Sequence, residues 1–129
     1  MRKYLLDTHL LIWVLLDSPQ LSSKARVLFA AQGSRFYYSA ASIWEIALKH
    51  RKHPDEIPCT PDEAKSFAEE SGILALPVTP AHALGVCSLP DIHADPFDRL
   101  LISQARSESI TLVTHDRNVI RYGENILGV

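Results

Sequence analysis

Five short apolar runs, separated by stretches with helical spacing, constrain the fold of this chain more than any other feature. Lys3 to Leu6, Phe36 to Tyr38, Ile73 to Leu76, Thr111 to Thr114 and a last run around Asn125 to Leu127 suit buried strands. Between the first two, Leu10, Leu11, Val14 and Leu15 carry a helix from Asp7-Thr8 to Asp17-Ser18-Pro19. Ala25, Leu28 and Phe29 mark a second helix, capped by Ser22 or Ser23 and ending near Gly33. Further helices are expected over Ser39 to Arg51, Asp62 to Ser71, Pro80 to Cys87 and Pro96 to Arg106, with a helical turn near Arg117 to Arg121. Prolines 54, 58 and 61 mark the loop after the third helix. Apolar strands alternating with helices predict a parallel sheet covered on both faces. The 129 residues fit one domain, 1–129, without repeats or linkers.

The first strand and helix also imitate a signal peptide, with Met1-Arg2-Lys3 before an apolar stretch from Tyr4 to Leu16. Asp7, Thr8 and His9 interrupt that stretch, no small-residue cleavage site follows it, and it is too short to span a bilayer. Cys59 and Cys87 have neither disulfide density nor metal-ligand spacing. The expectation is a cytoplasmic protein with no membrane partner. A net charge of −2 argues against a passive nucleic-acid binder, so any such contact must be local or helped by metal.

Four acids stand where these runs begin or end: Asp7, Glu45, Asp98 and Asp116. In open α/β sheets ligands bind at the carboxyl ends of the strands, and Asp7 and Asp116 fall at or just past such ends. Two carboxylates ~4 Å apart repel by ~4 kcal/mol at an effective dielectric of ~20. A helix N-terminus offsets only ~0.3–1 kcal/mol per exposed acid. If the four converge, a cation belongs to the working state or some acids are protonated. All-oxygen ligation points to Mg²⁺ or Mn²⁺ over zinc, and such an ion activates water and stabilises charge on a phosphate under attack.

Each acid also has a structural reading. Asp7 can cap the helix after it, and Asp116 can be an ordinary turn or cap residue. Ser42-Ile43-Trp44-Glu45 matches a capping box, and Glu45 can pair with Lys49 one turn on. In Asp95-Pro96-Phe97-Asp98, proline at the first helical position makes Asp95 the N-cap. Asp98 then lies in the first turn, directed back toward the helix N-terminus, and is the better ligand candidate. Phe97, Leu100, Leu101 and Ala105 are expected on the buried face, with Arg99 off it.

Lys49-His50-Arg51-Lys52-His53 can hold an RNA backbone or complement a helix C-terminus. Arg99 can face phosphate or form an ion pair. His9, His93 and His115 lie near the proposed site as loop groups or supports for ligands, and Trp13 and Trp44 are expected in the core.

Leu5-Leu6-Asp7-Thr8-His9-Leu10-Leu11-Ile12-Trp13, Ser39 through Lys49, His93 through Ala105 and Leu112-Val113-Thr114-His115-Asp116 together resemble the ordered motifs of the PIN-domain family, specifically its VapC-type toxin ribonucleases. The match spans nearly the whole chain, and no acidic motif position is missing. The resemblance implies a three-layer α/β/α sandwich with a mostly parallel sheet and a Mg²⁺- or Mn²⁺-dependent endoribonuclease. It further implies inhibition by a VapB-like antitoxin and a homodimer. Asp7, Asp98 and Asp116 would be metal ligands, and Glu45 would hold a water on the metal or a second metal. RNA cleavage would leave 3′-hydroxyl and 5′-phosphate ends.

Three rivals remain at this level. A haloacid-dehalogenase-like phosphatase needs a second Asp two residues after the first, where His9 stands. A receiver domain needs paired acids after its first strand, where Asp7 is alone. A PIN-like protein acting mainly as an antitoxin- or RNA-binding partner would keep the same residues.

Overall fold

In the computed structural model, which describes Met1–Val129, the five apolar runs form β1 (Arg2–Leu6), β2 (Ser34–Ser39), β3 (Leu74–Leu76), β4 (Thr111–Thr114) and β5 (Ile126–Gly128). They pair in the order β3-β2-β1-β4-β5, and every pairing is parallel. The helices are α1 (Thr8–Leu16), α2 (Ser23–Ala30), α3 (Ala40–Lys52), α4 (Pro61–Glu70), α5 (Pro80–Gly85), α6 (Pro96–Glu108) and α7 (Arg117–Ile120). A 3₁₀ turn, Val86–Ser88, takes over from α5, so the helix expected to reach Cys87 tightens in its last turn. No helix is long and apolar enough to cross a membrane.

Successive residues of a strand point to opposite faces, and β1 divides the core accordingly. Tyr4 and Leu6 pack with Leu10, Leu11, Ile46, Ala64 and Ala68 on the face that carries helices α1 to α4. Leu5 packs with Leu101, Ile102, Ala105, Leu112 and Val119 on the other. The result is an α/β/α sandwich with a wholly parallel sheet. After β1 the chain builds outward through β2 and β3, then returns to place β4 on the other side of β1. That reversal leaves a crevice at the carboxyl ends of β1 and β4, where such folds bind ligands.

Helix starts explain two departures from expectation. Helix α3 is capped by Ser39, whose hydroxyl accepts from Ala41 N–H, so Ser42 and Glu45 lie inside the helix and form no capping box. Reciprocal boxes form instead at Thr60–Glu63, at the start of α4 with Pro61 in the first turn, and at Thr79–His82, at the start of α5. On α6 the buried residues are Leu101, Ile102, Ser103, Gln104 and Ala105, while Phe97 and Leu100 are only half-buried. The polar pair is accommodated because the Ser39 hydroxyl bonds Gln104 Oε1 at 2.6 Å, Gln104 Nε2 donates to Pro77 O at 3.3 Å, and Ser103 Oγ donates to His82 O at 2.6 Å. Gln104 thereby ties α6 to the carboxyl end of β2.

Leu5 is fully buried at the centre of its face. Leu5→Ala is expected to cost ~2–5 kcal/mol, read as a lower urea midpoint at unchanged slope. A loss below ~1 kcal/mol would mean that this face is not close-packed.

Candidate functional site

The parallel register that aligns Leu6 with Val113 carries Asp7 alongside Thr114 at the ends of β1 and β4. Asp7 N–H donates to Val113 O at 3.0 Å, extending the ladder by one residue before the chain turns into α1. Its side chain caps that helix, Oδ1 accepting from Leu10 N–H at 2.8 Å, while Oδ2 accepts from the Thr114 hydroxyl. The expected cap is therefore real, yet it leaves Asp7 buried with no cation bonded to it.

Helix α3 brings Glu45 to the same edge, only 2% exposed. Thr8 Oγ lies 2.6 Å from Glu45 Oε1 and 2.9 Å from Ser42 Oγ. With one proton to give, Thr8 donates to the carboxylate and receives from Ser42. Lys49, one turn along α3, pairs with Glu45 Oε2.

Asp98 enters from the first turn of α6. Asp95 is the N-cap, its Oδ1 accepting from Phe97 N–H at 2.9 Å and Asp98 N–H at 3.1 Å. Asp98 Oδ2 lies 2.9 Å from His93 Nε2. Asp116, capping α7 through Asn118 N–H, follows β4, and its own N–H donates to Thr114 Oγ at 3.1 Å. Donor atoms of His93, Asp98 and Asp116 all lie within 4.8 Å of one another. Asp98, in turn, feels the charges of both Glu45 and Asp7.

Burial, aided by the charge of Glu45, pushes the Asp7 carboxyl above its ordinary range in spite of the hydrogen bonds from Thr114 and Leu10. Burial, then the charges of Asp95, Glu45 and Asp7, pushes Asp98 up to about 6, against the pull of His93. Burial works against the Lys49 ammonium, but its bond to Glu45 and the charges of Glu45, Asp95 and Asp98 outweigh it and raise its pKa. Asp7, Glu45 and Asp98 thus face a single bonded ammonium, that of Lys49. Carboxylates with spare lone pairs and too few cations fit a hard divalent ion.

The PIN domain family model matches residues 4–125. The chain belongs to the PIN domain family.

Solved structures superpose on it at low identity. A VapBC complex from Rickettsia felis, bound to a fragment of promoter DNA, gives a TM-score of 0.70 at 16% identity, covering 98% of this chain and 97% of the other. A DNA-bound VapBC from Salmonella typhimurium gives 0.68 at 18%, covering 99% and 98%. A sarcin-ricin-loop-cleaving VapC toxin from Mycobacterium tuberculosis gives 0.64 at 16%, covering 93% and 95%. At such identities the likeness establishes the fold. No curated protein sequence matches the chain.

Around the PIN acids, several side chains differ from their sequence-based expectation. The Arg99 guanidinium neither pairs with Asp98 nor turns to solvent: Nη1 donates to Pro90 O and to Tyr122 Oη, both at 3.0 Å, and Nη2 to Val86 O at 3.3 Å. It clamps the loop that carries His93. Trp44 is not core but 60% exposed, standing edge-on to Phe97 at 5.2 Å between ring centroids. Trp13 does pack against the core, edge-on to His115 at 5.5 Å. Of the basic run, Lys49, His50, Arg51 and Lys52 occupy the last turn of α3, and His50 bonds Ile57 O. Cys59 and Cys87 are both free.

Sequence reasoning missed Thr8, Ser42 and Thr114 as supports of the acids. Their one signal is a small hydroxyl residue within or beside an apolar run where an aliphatic one would otherwise bury.

A carboxyl whose folded pKa lies above its ordinary 3.8 holds its proton more tightly when folded. Its contribution to stability is therefore present below pH ~4 and is lost as pH rises through about 6. Metal-free Asp98→Asn protein is expected to exceed wild type in stability above about pH 7 by up to ~2–3 kcal/mol, with the gap closing below about pH 5. Urea unfolding in chelator across that range measures it; a gap that does not change with pH would show that Asp98 is not lifted.

Proposed function

We propose that this PIN domain is a Mg²⁺- or Mn²⁺-dependent endoribonuclease acting as the toxin of a toxin–antitoxin pair. The observation that carries the reading is the convergence of Asp98, Asp116 and His93 within 4.8 Å, at the sheet edge where Asp7 and Glu45 are buried near enough for their charges to act on Asp98. A nuclease needs such an excess of negative charge to hold a divalent ion against a phosphodiester. The donor set fits that ion: each Asp7 oxygen accepts one hydrogen bond and keeps a lone pair free.

Asp7, Asp98 and Asp116 would hold the ion. Bound there, it would promote attack by water and offset the charge that develops on the phosphate. The chain's own groups do the rest. Thr114 orients Asp7 Oδ2, and its hydroxyl also receives the Asp116 N–H. Glu45, fixed by Thr8 and Lys49, sets its Oε1 to orient the attacking water and take its proton. Asp95 holds the first turn of α6 so that Asp98 faces the crevice. Arg51 and Lys52, exposed in the last turn of α3, offer positive charge along which an RNA backbone would run. Attack in line with the leaving oxygen leaves 3′-hydroxyl and 5′-phosphate ends.

Support for the biological setting comes from the solved relatives, which include a toxin–antitoxin complex from Klebsiella pneumoniae and several VapBC structures. We take an RNA substrate, a VapB-like antitoxin, a homodimer and a cytoplasmic site of action from that likeness.

Asp7→Asn and Asp98→Asn are each expected to abolish metal-dependent RNA cleavage, a fall of at least ~100-fold, while circular dichroism stays native. Cleavage that survives both substitutions would remove this mechanism. Millimolar Mg²⁺ or Mn²⁺ is expected to raise Tm of the chelator-stripped protein, by an amount equivalent to ~2.7 kcal/mol at a hundredfold excess over Kd. The rise should shrink in the Asp→Asn variants, and no rise in wild type would mean that the acids hold no ion.

A further inference from the structure

We infer that His93 is itself a metal-binding residue, its Nε2 joining one carboxylate oxygen each from Asp98 and Asp116 in a nitrogen–oxygen–oxygen seat that prefers a first-row transition ion such as Mn²⁺ over Mg²⁺. The inference rests on the metal reading of the acid cluster and adds to it a nitrogen donor and an ion preference, neither of which four carboxylates supply.

Geometry carries the assignment. His93 Nε2 and Asp98 Oδ2 are 2.9 Å apart. Two neighbouring ligands at right angles about an ion, each ~2.1 Å from it, are ~3 Å apart, and two opposite ones ~4.2 Å. A donor from Asp116 lies within 4.8 Å of both, a bound ~0.6 Å wider than two opposite ligands span, which a rotation of the Asp116 carboxylate would close. The three residues come from three separate places: the loop before α6, the first turn of α6, and the turn after β4. A histidine serving only to orient Asp98 would need one partner, whereas this imidazole converges with two acids. An entering ion would take the place of the hydrogen bond between Nε2 and Oδ2.

The loop is also built to hold the ring in place. His93 N–H donates to Tyr122 Oη at 2.9 Å, and Arg99 Nη1 donates to the same phenol oxygen. Arg99 is anchored in addition to Pro90 O and Val86 O, and Tyr122 is buried in the core beside Val119. His93 is therefore fixed through its backbone while its ring, one-fifth exposed, stays accessible to an ion. Such preorganisation lowers the ordering cost of a ligand.

The ion preference follows from ligand chemistry. Mg²⁺ takes oxygen donors and sheds its waters reluctantly, while imidazole raises affinity along the first transition series.

The test uses the full chain, stripped with chelator and reloaded with Mn²⁺. Pulsed electron paramagnetic resonance of the bound ion is expected to show a directly coordinated imidazole nitrogen that shifts when histidine is isotopically labelled. That coupling should vanish in His93→Gln and His93→Ala and persist in His115→Gln. In parallel, thermal titrations should show the preference of wild type for Mn²⁺ over Mg²⁺ narrowing by ~10-fold or more in the His93 variants. Mn²⁺ bound without nitrogen coupling would overturn the assignment and leave the carboxylate centre standing. Failure of wild type to bind Mn²⁺ at all would overturn both. Should a His93 variant not fold, coupling that persists in both His9→Gln and His115→Gln assigns the nitrogen to His93, and its loss in either overturns the assignment.

Discussion

The carboxyl edge of the sheet depends on one hydroxyl, that of Thr114. It donates to Asp7 Oδ2 and receives the N–H of Asp116, so a single buried side chain fixes two acids from different strands. A hydroxyl has one proton and two lone pairs, and both kinds of bond are used here. The link exists only because the parallel register places the ends of β1 and β4 side by side. An aliphatic residue at that position would pack equally well in the sheet and leave Asp7 with one donor fewer. Burial of an unsatisfied charged group costs several kcal/mol, so the arrangement around the acids follows from this contact.

The remaining contacts hold the site together at an electrostatic disadvantage. Neutral hydroxyls and backbone N–H groups, more than cations, surround Asp7 and Glu45. These donors orient the oxygens without neutralising them, which is why burial prevails and Asp7 and Asp98 rise. Function and stability oppose one another at such a place. A site that neutralised itself would be steadier.

Much of this was legible in the residue order. The central strands announced themselves because Tyr4 to Leu6 and Leu112 to Thr114 are buried on both faces, and Thr111 to Thr114 agrees to the residue. The run at Ile73 to Leu76, expected buried, instead forms an edge strand with Leu74 and Ala75 exposed. Asp95 as cap and Asp98 in the first turn followed from proline at the helix start. Other features need three dimensions. Two serines, Ser39 and Ser42, compete to start α3, and only the end of β2 decides for the first. Trp44 looked like core because it is large and apolar, but its position on α3 turns outward. Arg99 is spoken for by carbonyls and by Tyr122, the latter 23 residues away, a pairing that no local pattern displays. Thr114 was legible as strand and illegible as support, since its role is a property of register.

Gln104 extends this logic to a distance. It lies on the same helix as Asp98, six residues further on, or ~9 Å along the axis. Its bonds to Ser39 and Pro77 fix how far α6 is screwed about its own axis. A slip of one residue would turn every side chain of the helix by ~100°, swinging the Asp98 carboxyl out of the crevice. Gln104 thus acts as a set screw for the acid, and drift at this amide could retune a PIN site whose carboxylates are all intact.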